Sequence, residues 1–310
     1  MTAFEQELAD VLGPARVAAD VSLASFTTLR IGGPADWLVT VRSAEEILEV
    51  IAVARRHEVP VTVIGGGSNL LVADGGVRGL VVRVHGGDVT VLDAALIRAD
   101  AGITINGLVR WTINRGVSGL EAWAGTPGTV GGAIHGNAHF QGRLIGELVE
   151  RATLISREGA VAEVPAGAME FAYDYSRLHR TGEIVVSVDF RVGSGDPQAL
   201  RNIARASLAF RKQTQPLEAA SAGCMFQNPD PVADRVPPGI PASAGALVDR
   251  AGLKGAHLGG ARVSTRHGNF IVNDGTATAA DIAALVDRCK QEVSQRVGVR
   301  LREEVVRLGF

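Results

Sequence analysis

The chain has 310 residues, of which 46% are hydrophobic and 21% are charged, and its formal net charge is −2. This charge balance argues against a basic nucleic-acid-binding or membrane-binding surface, and we expect neither partner. The acidic, amphipathic N-terminus MTAFEQELADVLG resembles neither a signal peptide nor an anchor, so we expect a cytoplasmic protein. Only Cys224 and Cys289 are present, which excludes a disulfide framework, and the length predicts two or three domains.

The first part of the chain, up to about Gly87, is predicted to form a small α/β lobe. After an N-terminal helix, a strand is expected over residues 35–41. Ser43 and Glu46 form a capping box that begins a helix. Residues 61–64 are all β-branched and mostly apolar, which predicts a strand that is buried on both faces.

A glycine loop, GGGSNLL, follows this strand directly. Gly65–Gly67 can take positive φ and bring consecutive N–H groups to an anion, while Ser68 and Asn69 can add side-chain donors, so we expect a phosphate here. The loop is not a Rossmann fingerprint, because Leu70 stands at the third glycine position and no room remains for a crossover helix before the strand at 80–84. A plain glycine turn is the alternative.

A second lobe is predicted from Asp88 onward. It begins with a hairpin and a helix over residues 104–114, and a second glycine-rich stretch follows at 124–138. Pro127 is expected to start a helix whose free N–H groups face an anion, and the glycines after it allow a flat ligand to lie against the backbone. Further strands are expected at 148–156, 160–164 and 183–192, with the run FAYDYSR before the last of them.

A third domain is predicted after the glycine- and proline-containing linker at 193–197. It would contain a helix over 198–212, the run SAGCMFQNP at 221–229 and an exposed loop at 230–242. A short helix, a glycine turn and a strand follow over 244–273. Thr278 and Asp281 form a second capping box that begins a helix, and the last strand is expected at 299–308.

Six runs of the chain, taken together, carry a family resemblance. They are TTLRIGGPAD, VIGGGSNLL, GLEAWAGTPGTVGGA, SAGCMFQNP, GLKGAHLGGARVSTRHGNFIVN and LREEVVRLG. In this order they resemble the UDP-N-acetylenolpyruvoylglucosamine reductase (MurB) family of flavoenzymes in peptidoglycan synthesis. Both tyrosines lie at 173–175, so the chain resembles the short class, which lacks the tyrosine-bearing substrate loop.

The resemblance implies an α+β fold, with a two-lobed FAD-binding domain of the vanillyl-alcohol-oxidase/MurB superfamily at residues 1–87 and 88–195. A C-terminal α+β substrate-binding domain would occupy 196–310. It implies non-covalent FAD, NADPH as reductant, a UDP-sugar substrate and, as we expect, a monomer. The cofactor-binding residues would be Gly65, Gly66, Gly67, Ser68, Asn69, Leu70, Gly125, Thr126, Pro127, Gly128, Gly131, Gly132 and Ala133.

The reaction of this family adds a hydride and a proton to the enolpyruvyl double bond of UDP-N-acetylglucosamine enolpyruvate. The resemblance places the proton donor, a serine in the family, at Cys224. A thiol, with a reference pKa of about 8.5, can donate a proton, and the alternative is a small buried hydrophobe. The resemblance also matches Glu304 with a catalytic glutamate of the family. Glu303 would face the opposite way if the segment is a strand.

The family arginine of a Y-R-x-S run falls on Asp174, where this chain has an acid. Arg177 is the candidate replacement, and it requires that the segment turn and that Asp174 face away from Arg177 or pair with it. Gln227 occupies a position that is often lysine in the family. The expected substrate-binding residues are Arg211, Lys212, Asn228, Lys254 and His267. No histidine or acid spacing indicates a catalytic metal.

Two other interpretations stay open. Another FAD-dependent oxidoreductase of the same superfamily could tether its flavin through a histidine, but His57 and His85 lie outside the glycine loops. The other is a flavin- or UDP-sugar-binding protein without catalysis, and Asp174 is the one sequence feature that supports it.

Overall fold

The computed structural model describes residues 2–310, which form two compact units. The first unit contains residues 2–20 together with Asp36–Gly66 and Gly79–Phe210. The second contains Val21–Ala35, Gly67–Arg78 and Arg211–Phe310. The predicted boundaries at residues 87 and 195 stay predictions, and most of both predicted FAD-binding lobes lies in the first unit.

The helices and strands follow the predicted order closely. The helices are α1 (Ala3–Leu12), α2 (Ala44–Arg56), α3 (Ile105–Asn114), α4 (Val130–His135), α5 (Leu178–Thr181), α6 (Pro197–Thr214), α7 (Ala244–Arg250) and α8 (Ala279–Val297). The strands are β1 (Val17–Ser22), β2 (Pro34–Val41), β3 (Val61–Ile64), β4 (Leu70–Val72), β5 (Val77–Val84), β6 (Val89–Val91), β7 (Leu96–Asp100), β8 (Val117–Ser118), β9 (His139–Phe140), β10 (Arg143–Leu144), β11 (Val149–Ile155), β12 (Val161–Pro165), β13 (Ile184–Arg191), β14 (Gly193–Ser194), β15 (Ala220–Cys224), β16 (His257–Leu258), β17 (Ala261–Val263), β18 (Phe270–Asn273) and β19 (Val306–Leu308).

The first unit contains a four-stranded sheet in the order β1-β2-β5-β3 and a five-stranded sheet in the order β12-β11-β13-β7-β6. Its core includes Leu8, Ile47, Ile105, Trp123 and Phe190. At the start of α2 the Ser43 side chain accepts a hydrogen bond from the Glu46 N–H, which is one half of the predicted capping box. The prediction that β3 is buried on both faces is wrong. The strand lies at the sheet edge, pairs in parallel with β5 alone, and leaves Val63 37% exposed.

The predicted linker at 193–197 is structured. Gly193 and Ser194 form β14, which pairs with β8, and the Asp196 carboxylate accepts a hydrogen bond from the Ala199 N–H at 2.8 Å to begin α6. The segment therefore belongs to the first unit and does not act as a flexible connection.

The second unit contains the sheet β15-β18-β17-β16, with helices α7 and α8 and a core that includes Leu71, Phe226, Leu247, Leu285 and Cys289. Burial raises the pKa of the Cys289 thiol to about 12, in agreement with its predicted place in the core.

The predicted strand at 299–308 is shorter than expected. Only β19 is regular, and it pairs in parallel with β4, a strand that the sequence analysis missed. Glu303 adds a single bridge to Phe226, so the segment before β19 is held by individual hydrogen bonds. Within residues 2–310, no helix is long and apolar enough to cross a membrane.

Candidate active site

The first half of the glycine loop packs against the second glycine-rich stretch inside the first unit. A Cβ on Gly66 would stand 2.6 Å from the Gly128 Cα, and a Cβ on Gly65 would overlap the Thr129 hydroxyl. Only Gly67 of the three loop glycines has positive φ, at 63°. Gly65 and Gly66 are therefore required by close backbone contact, and the expectation of positive φ at these two residues is wrong.

The second glycine-rich stretch is braced from its own unit. Asn106 accepts a hydrogen bond from the Gly125 N–H at 2.7 Å and donates to the Thr126 carbonyl at 3.3 Å. Among residues 2–310, the N–H groups of Gly66 and Gly128 have no acceptor, and Gly128 has φ of 100°. These two glycines, which lie next to each other in space, therefore offer backbone donors to an anion.

The prediction that Pro127 begins a helix with free N–H groups is wrong. Helix α4 begins at Val130 with Thr129 as its cap. Its first N–H groups are already bound: Val130 donates to the Ile103 carbonyl, Gly131 to the Ala101 carbonyl, and Gly132 and Ala133 to Thr129. The predicted contributions of Gly131, Gly132 and Ala133 to cofactor binding can therefore come from their small size but not from these donors.

The rest of the first loop lies in the second unit. The Thr28 N–H donates to the Gly67 carbonyl at 3.1 Å, and the Thr28 hydroxyl donates to the Ser68 carbonyl at 3.4 Å. The Asn69 amide donates to the Glu304 carbonyl at 2.9 Å, so one of its two side-chain N–H groups supports the C-terminal segment instead of a phosphate. Leu70 begins β4 beside Val306.

A cavity of about 300 Å³ in the second unit brings four of the predicted residues together. Cys224, Asn228, Lys254 and His267 all line it. Asn228 is fixed there because its side-chain oxygen accepts a hydrogen bond from the Ala244 N–H at the start of α7, at 3.0 Å. A second cavity of about 330 Å³ lies at the β16–β17 hairpin and contains none of the predicted site residues.

Cys224 reaches this cavity from the end of β15. The strand is irregular between Ser221 and Cys224, Gly223 takes a φ of 80°, and Cys224 then pairs with Phe270 of β18. Arg211 is 6% exposed and interacts electrostatically with Cys224. Burial lowers the pKa of Arg211 to about 10, and the interaction with Cys224 opposes this shift, so the guanidinium stays charged near neutral pH.

Glu303 and Glu304 have different surroundings, although the predicted strand that would separate them is absent. The Glu303 carboxylate is bound by Lys290 at 2.9 Å and by Arg307 at 2.7 Å. Burial favours a higher Glu303 pKa, but hydrogen bonds from these two cations outweigh it and leave the pKa lowered. The Glu304 backbone is held between the Met225 carbonyl and the Asn69 amide. The catalytic role of Glu304 stays a prediction. Because the neighbouring Glu303 carboxylate is already bound by two cations, Glu304 is the better candidate of the two.

The predicted turn between Tyr173 and Arg177 is present. Ala172 and Tyr175 exchange backbone hydrogen bonds, and Asp174 has φ of 50°. Asp174 pairs with His139 at 2.9 Å and not with Arg177. The Arg177 guanidinium instead binds both carboxylate oxygens of Glu183, at 2.9 and 3.1 Å. The catalytic role of Arg177 stays a prediction, and this double contact argues against it.

Lys212, Gln227 and His57, which the sequence analysis also discussed, all have contacts within the protein. The Lys212 carbonyl accepts a hydrogen bond from Arg266 at 3.2 Å, and the Gln227 N–H donates to the Arg302 carbonyl at 2.9 Å. His57 pairs with Glu7 at 3.1 Å. Within residues 2–310, no three histidine, cysteine or acidic side chains are grouped so that they could hold a metal ion.

Two family models match the chain, one in each half. The model described as FAD binding domain matches residues 35–164, and the model described as UDP-N-acetylenolpyruvoylglucosamine reductase, C-terminal domain, matches residues 215–308. The fold and these matches define the chain as an α+β flavoprotein with an FAD-binding domain and a separate C-terminal domain.

Relatives match over nearly the whole length. The UDP-N-acetylenolpyruvoylglucosamine reductase 2 of Symbiobacterium thermophilum is 40% identical over 94% of this chain and 92% of its own, and the reductase of Bacillus subtilis is 36% identical over 95% and 94%. The crystal structure of the MurB from Thermus caldophilus covers 94% of this chain and 99% of its own, with a TM-score of 0.77 and 35% identity. The chain belongs to the UDP-N-acetylenolpyruvoylglucosamine reductase (MurB) family.

The contact between the two glycine loops can be tested with Gly66→Ala. The added methyl group would push Gly128 away, and because overpacking costs about 1–3 kcal/mol, we expect FAD to bind roughly 10–100-fold more weakly, as measured by quenching of flavin fluorescence. Gly75→Ala is the control, since a Cβ at Gly75 would meet no atom within 4 Å. Wild-type FAD affinity in Gly66→Ala would contradict this account.

Proposed function

We propose that this chain reduces the enolpyruvyl double bond of UDP-N-acetylglucosamine enolpyruvate to give UDP-N-acetylmuramate, a step of peptidoglycan precursor synthesis, with NADPH as reductant. The full-length relation to named reductases supports the substrate. The observation that carries the assignment is the cavity of the second unit, where Cys224, the position of the family proton donor, lies together with Asn228, Lys254 and His267.

We propose FAD as the non-covalent cofactor, and the residues present fit it. The free N–H groups of Gly66 and Gly128 suit a pyrophosphate, and a Cβ at Gly66 would fill the space that a close backbone approach needs. FAD, when bound and reduced, supplies the hydride. The remaining proposed cofactor contacts are those implied by the family resemblance.

The chain's own residues supply the proton and hold the negative charge. In the proposed reaction the Cys224 thiol gives its proton to the substrate carbon that has carbanion character, which leaves a thiolate at Sγ. The buried Arg211 guanidinium interacts with that sulfur and stabilises the thiolate. Asn228, Lys254 and His267 bind substrate oxygens in the cavity, and Glu304 supports the donor.

The decisive experiment starts with the spectrum of the purified protein. We expect a yellow protein that releases FAD on acid precipitation. Under anaerobic conditions NADPH should bleach the flavin, and the enolpyruvyl substrate should restore its absorbance. A protein that binds flavin and UDP-sugar without turnover would be a binding protein. Reduction of the oxidised flavin by an alcohol or hydroxy acid, together with no reoxidation of the reduced flavin by the enolpyruvyl substrate, would indicate another oxidoreductase.

Replacement of Cys224 tests the proton donor. Because general acid catalysis contributes about 10²–10⁴-fold, we expect Cys224→Ala to slow reoxidation by the enolpyruvyl substrate by that factor and to leave reduction by NADPH unchanged. Cys224→Ser should retain part of the rate, since a hydroxyl can also donate a proton. Stopped-flow absorbance of the flavin measures both half-reactions. If Cys224→Ala is reoxidised at the wild-type rate, the thiol only packs.

Arg177 and Glu183 form a matched pair of variants that separates catalysis from structure. From their double contact we expect Arg177→Ala and Glu183→Ala to lower the melting temperature to a similar degree, because each leaves a charged partner uncompensated. Both variants should keep the wild-type rate of reoxidation by substrate. Slow reoxidation in Arg177→Ala alone would instead show that this guanidinium binds the substrate carboxylate.

A further inference from the structure

Asn69 holds the C-terminal segment through both its side chain and its backbone. Its side-chain N–H donates to the Glu304 carbonyl at 2.9 Å, and its own carbonyl accepts a hydrogen bond from the Val306 N–H at 3.0 Å. Between these two contacts Val305 packs in the core of the second unit and is 5% exposed. Residues 304–306 are therefore fixed at both ends to one residue of the glycine loop.

The same segment is also bound to the residue that follows Cys224. The Glu304 N–H donates to the Met225 carbonyl at 2.9 Å, and Met225 comes directly after Cys224 in the chain. Both backbone polar groups of Glu304 are thus used, one on Met225 and the other on Asn69. These two contacts set the direction in which the Glu304 side chain leaves the backbone, and they set it relative to the candidate proton donor.

The backbone N–H of Asn69 is available to an anion. Thr28 binds the carbonyls of Gly67 and Ser68, at 3.1 and 3.4 Å. Among residues 2–310, the N–H groups of Ser68 and Asn69 have no acceptor. Consecutive N–H groups of this kind suit a phosphate. Asn69 can therefore contact the predicted cofactor with its N–H while its carbonyl and its side chain hold residues 304–306.

The alternative is that the Asn69 side chain is itself a cofactor contact, as the family resemblance implies. An amide nitrogen has two N–H groups, and one of them binds the Glu304 carbonyl. The two roles differ in what the loss of the amide would change. A cofactor contact would change the affinity for FAD, whereas a positioning contact would change the rate of the step that requires Glu304.

We propose that Asn69 is a positioning residue for Glu304. It joins the part of the glycine loop that lies in the second unit to the Glu304 backbone, and so it holds the Glu304 carboxyl where it supports the proton donor. This role rests on the proposed function, because it takes Glu304 as the group that supports Cys224 during reoxidation of the flavin. A catalytic group that moves by about 1 Å can lose about 100-fold in rate, so one hydrogen bond to its backbone can matter for catalysis.

Asn69→Ala removes the amide and leaves both backbone groups of the residue in place. We expect the holoenzyme of this variant to be reduced by NADPH at the wild-type rate, with unchanged Kd for FAD and for the enolpyruvyl substrate. Reoxidation by saturating substrate should be about 10–100-fold slower. Asn202→Ala is the matched control, because Asn202 is exposed on α6 and contacts only Gln198 there. Weaker FAD binding together with wild-type reoxidation at saturating FAD would make the amide a cofactor contact and overturn the inference.

A double-mutant cycle tests whether Asn69 acts through Glu304. Glu304→Gln removes the carboxyl but keeps the backbone carbonyl that Asn69 binds. If Asn69 positions that carboxyl, Asn69→Ala should slow reoxidation of the Glu304→Gln enzyme by less than about 2-fold, since the two effects then do not add. Equal slowing in both backgrounds, or wild-type reoxidation in Glu304→Gln, overturns the inference.

Hydrogen exchange of the oxidised holoenzyme gives a measurement that needs no turnover. The N–H groups of Glu304 and Val306 should exchange about 3–10-fold faster in Asn69→Ala, while the Val263 N–H, bound to the Ala256 carbonyl, should not change. Flavin content and melting temperature show whether the variant is folded. Asn69→Ser, which keeps a polar side chain but lacks the amide, is the second variant if Asn69→Ala loses its flavin.

The two proposals fail in different ways. If the substrate reoxidises the wild-type enzyme but both exchange and reoxidation are unchanged in a folded Asn69 variant, the inference is wrong and the proposed function survives. A wild-type holoenzyme that is reduced by NADPH but is not reoxidised by the substrate overturns both.

Discussion

A single buried amide joins the two segments that carry the candidate catalytic groups of the second unit. The Asn269 side chain accepts a hydrogen bond from the Phe226 N–H at 2.9 Å and donates to the Phe226 carbonyl at 2.7 Å, and the Asn269 carbonyl binds the Met225 N–H. With all of its polar groups satisfied, a side chain that is 3% exposed can be rigid. Cys224 and His267 each lie two residues from this junction, so it sets the distance between them.

In the first unit the constraint is the close approach of two backbones. Gly66 contacts Gly128, and Thr129 occupies the space beside Gly65, so neither loop can move without the other. Among residues 2–310, the N–H groups of Gly66 and Gly128 have no acceptor. Close backbone packing and an anion site would both require residues without side chains, which explains why a glycine turn and a phosphate loop could not be distinguished by sequence alone.

The elements that the sequence predicted well are those with local signals. The capping box before α8 and the hairpin β6–β7 depend on residues a few positions apart, and both are present. Before α2 only one half of the predicted box forms: Ser43 accepts a hydrogen bond from the Glu46 N–H, but the Glu46 carboxylate binds Arg16 and the Arg42 N–H. The errors are non-local. The parallel pair of β4 and β19 joins residues more than 230 positions apart, and it was missed. Asn106 and Asn269 were missed as site supports for the same reason, because an amide shows its partners only in the folded chain.

This chain has Asp174 at the position of the family arginine. The charged side chains around the candidate site explain how it can remain compatible with the reaction. Asp174 is paired with His139, and the positive charge of Arg177 is balanced by Glu183, so Arg177 is not free to bind a ligand carboxylate. A buried cation is stable only where an anion forms or lies nearby. Arg211 is such a cation, and one group with which it interacts is Cys224, whose sulfur becomes negative when it gives up its proton in the proposed reaction. The positive charge is therefore already in place where negative charge would develop, which is the arrangement that lowers a barrier without reorganisation during the step.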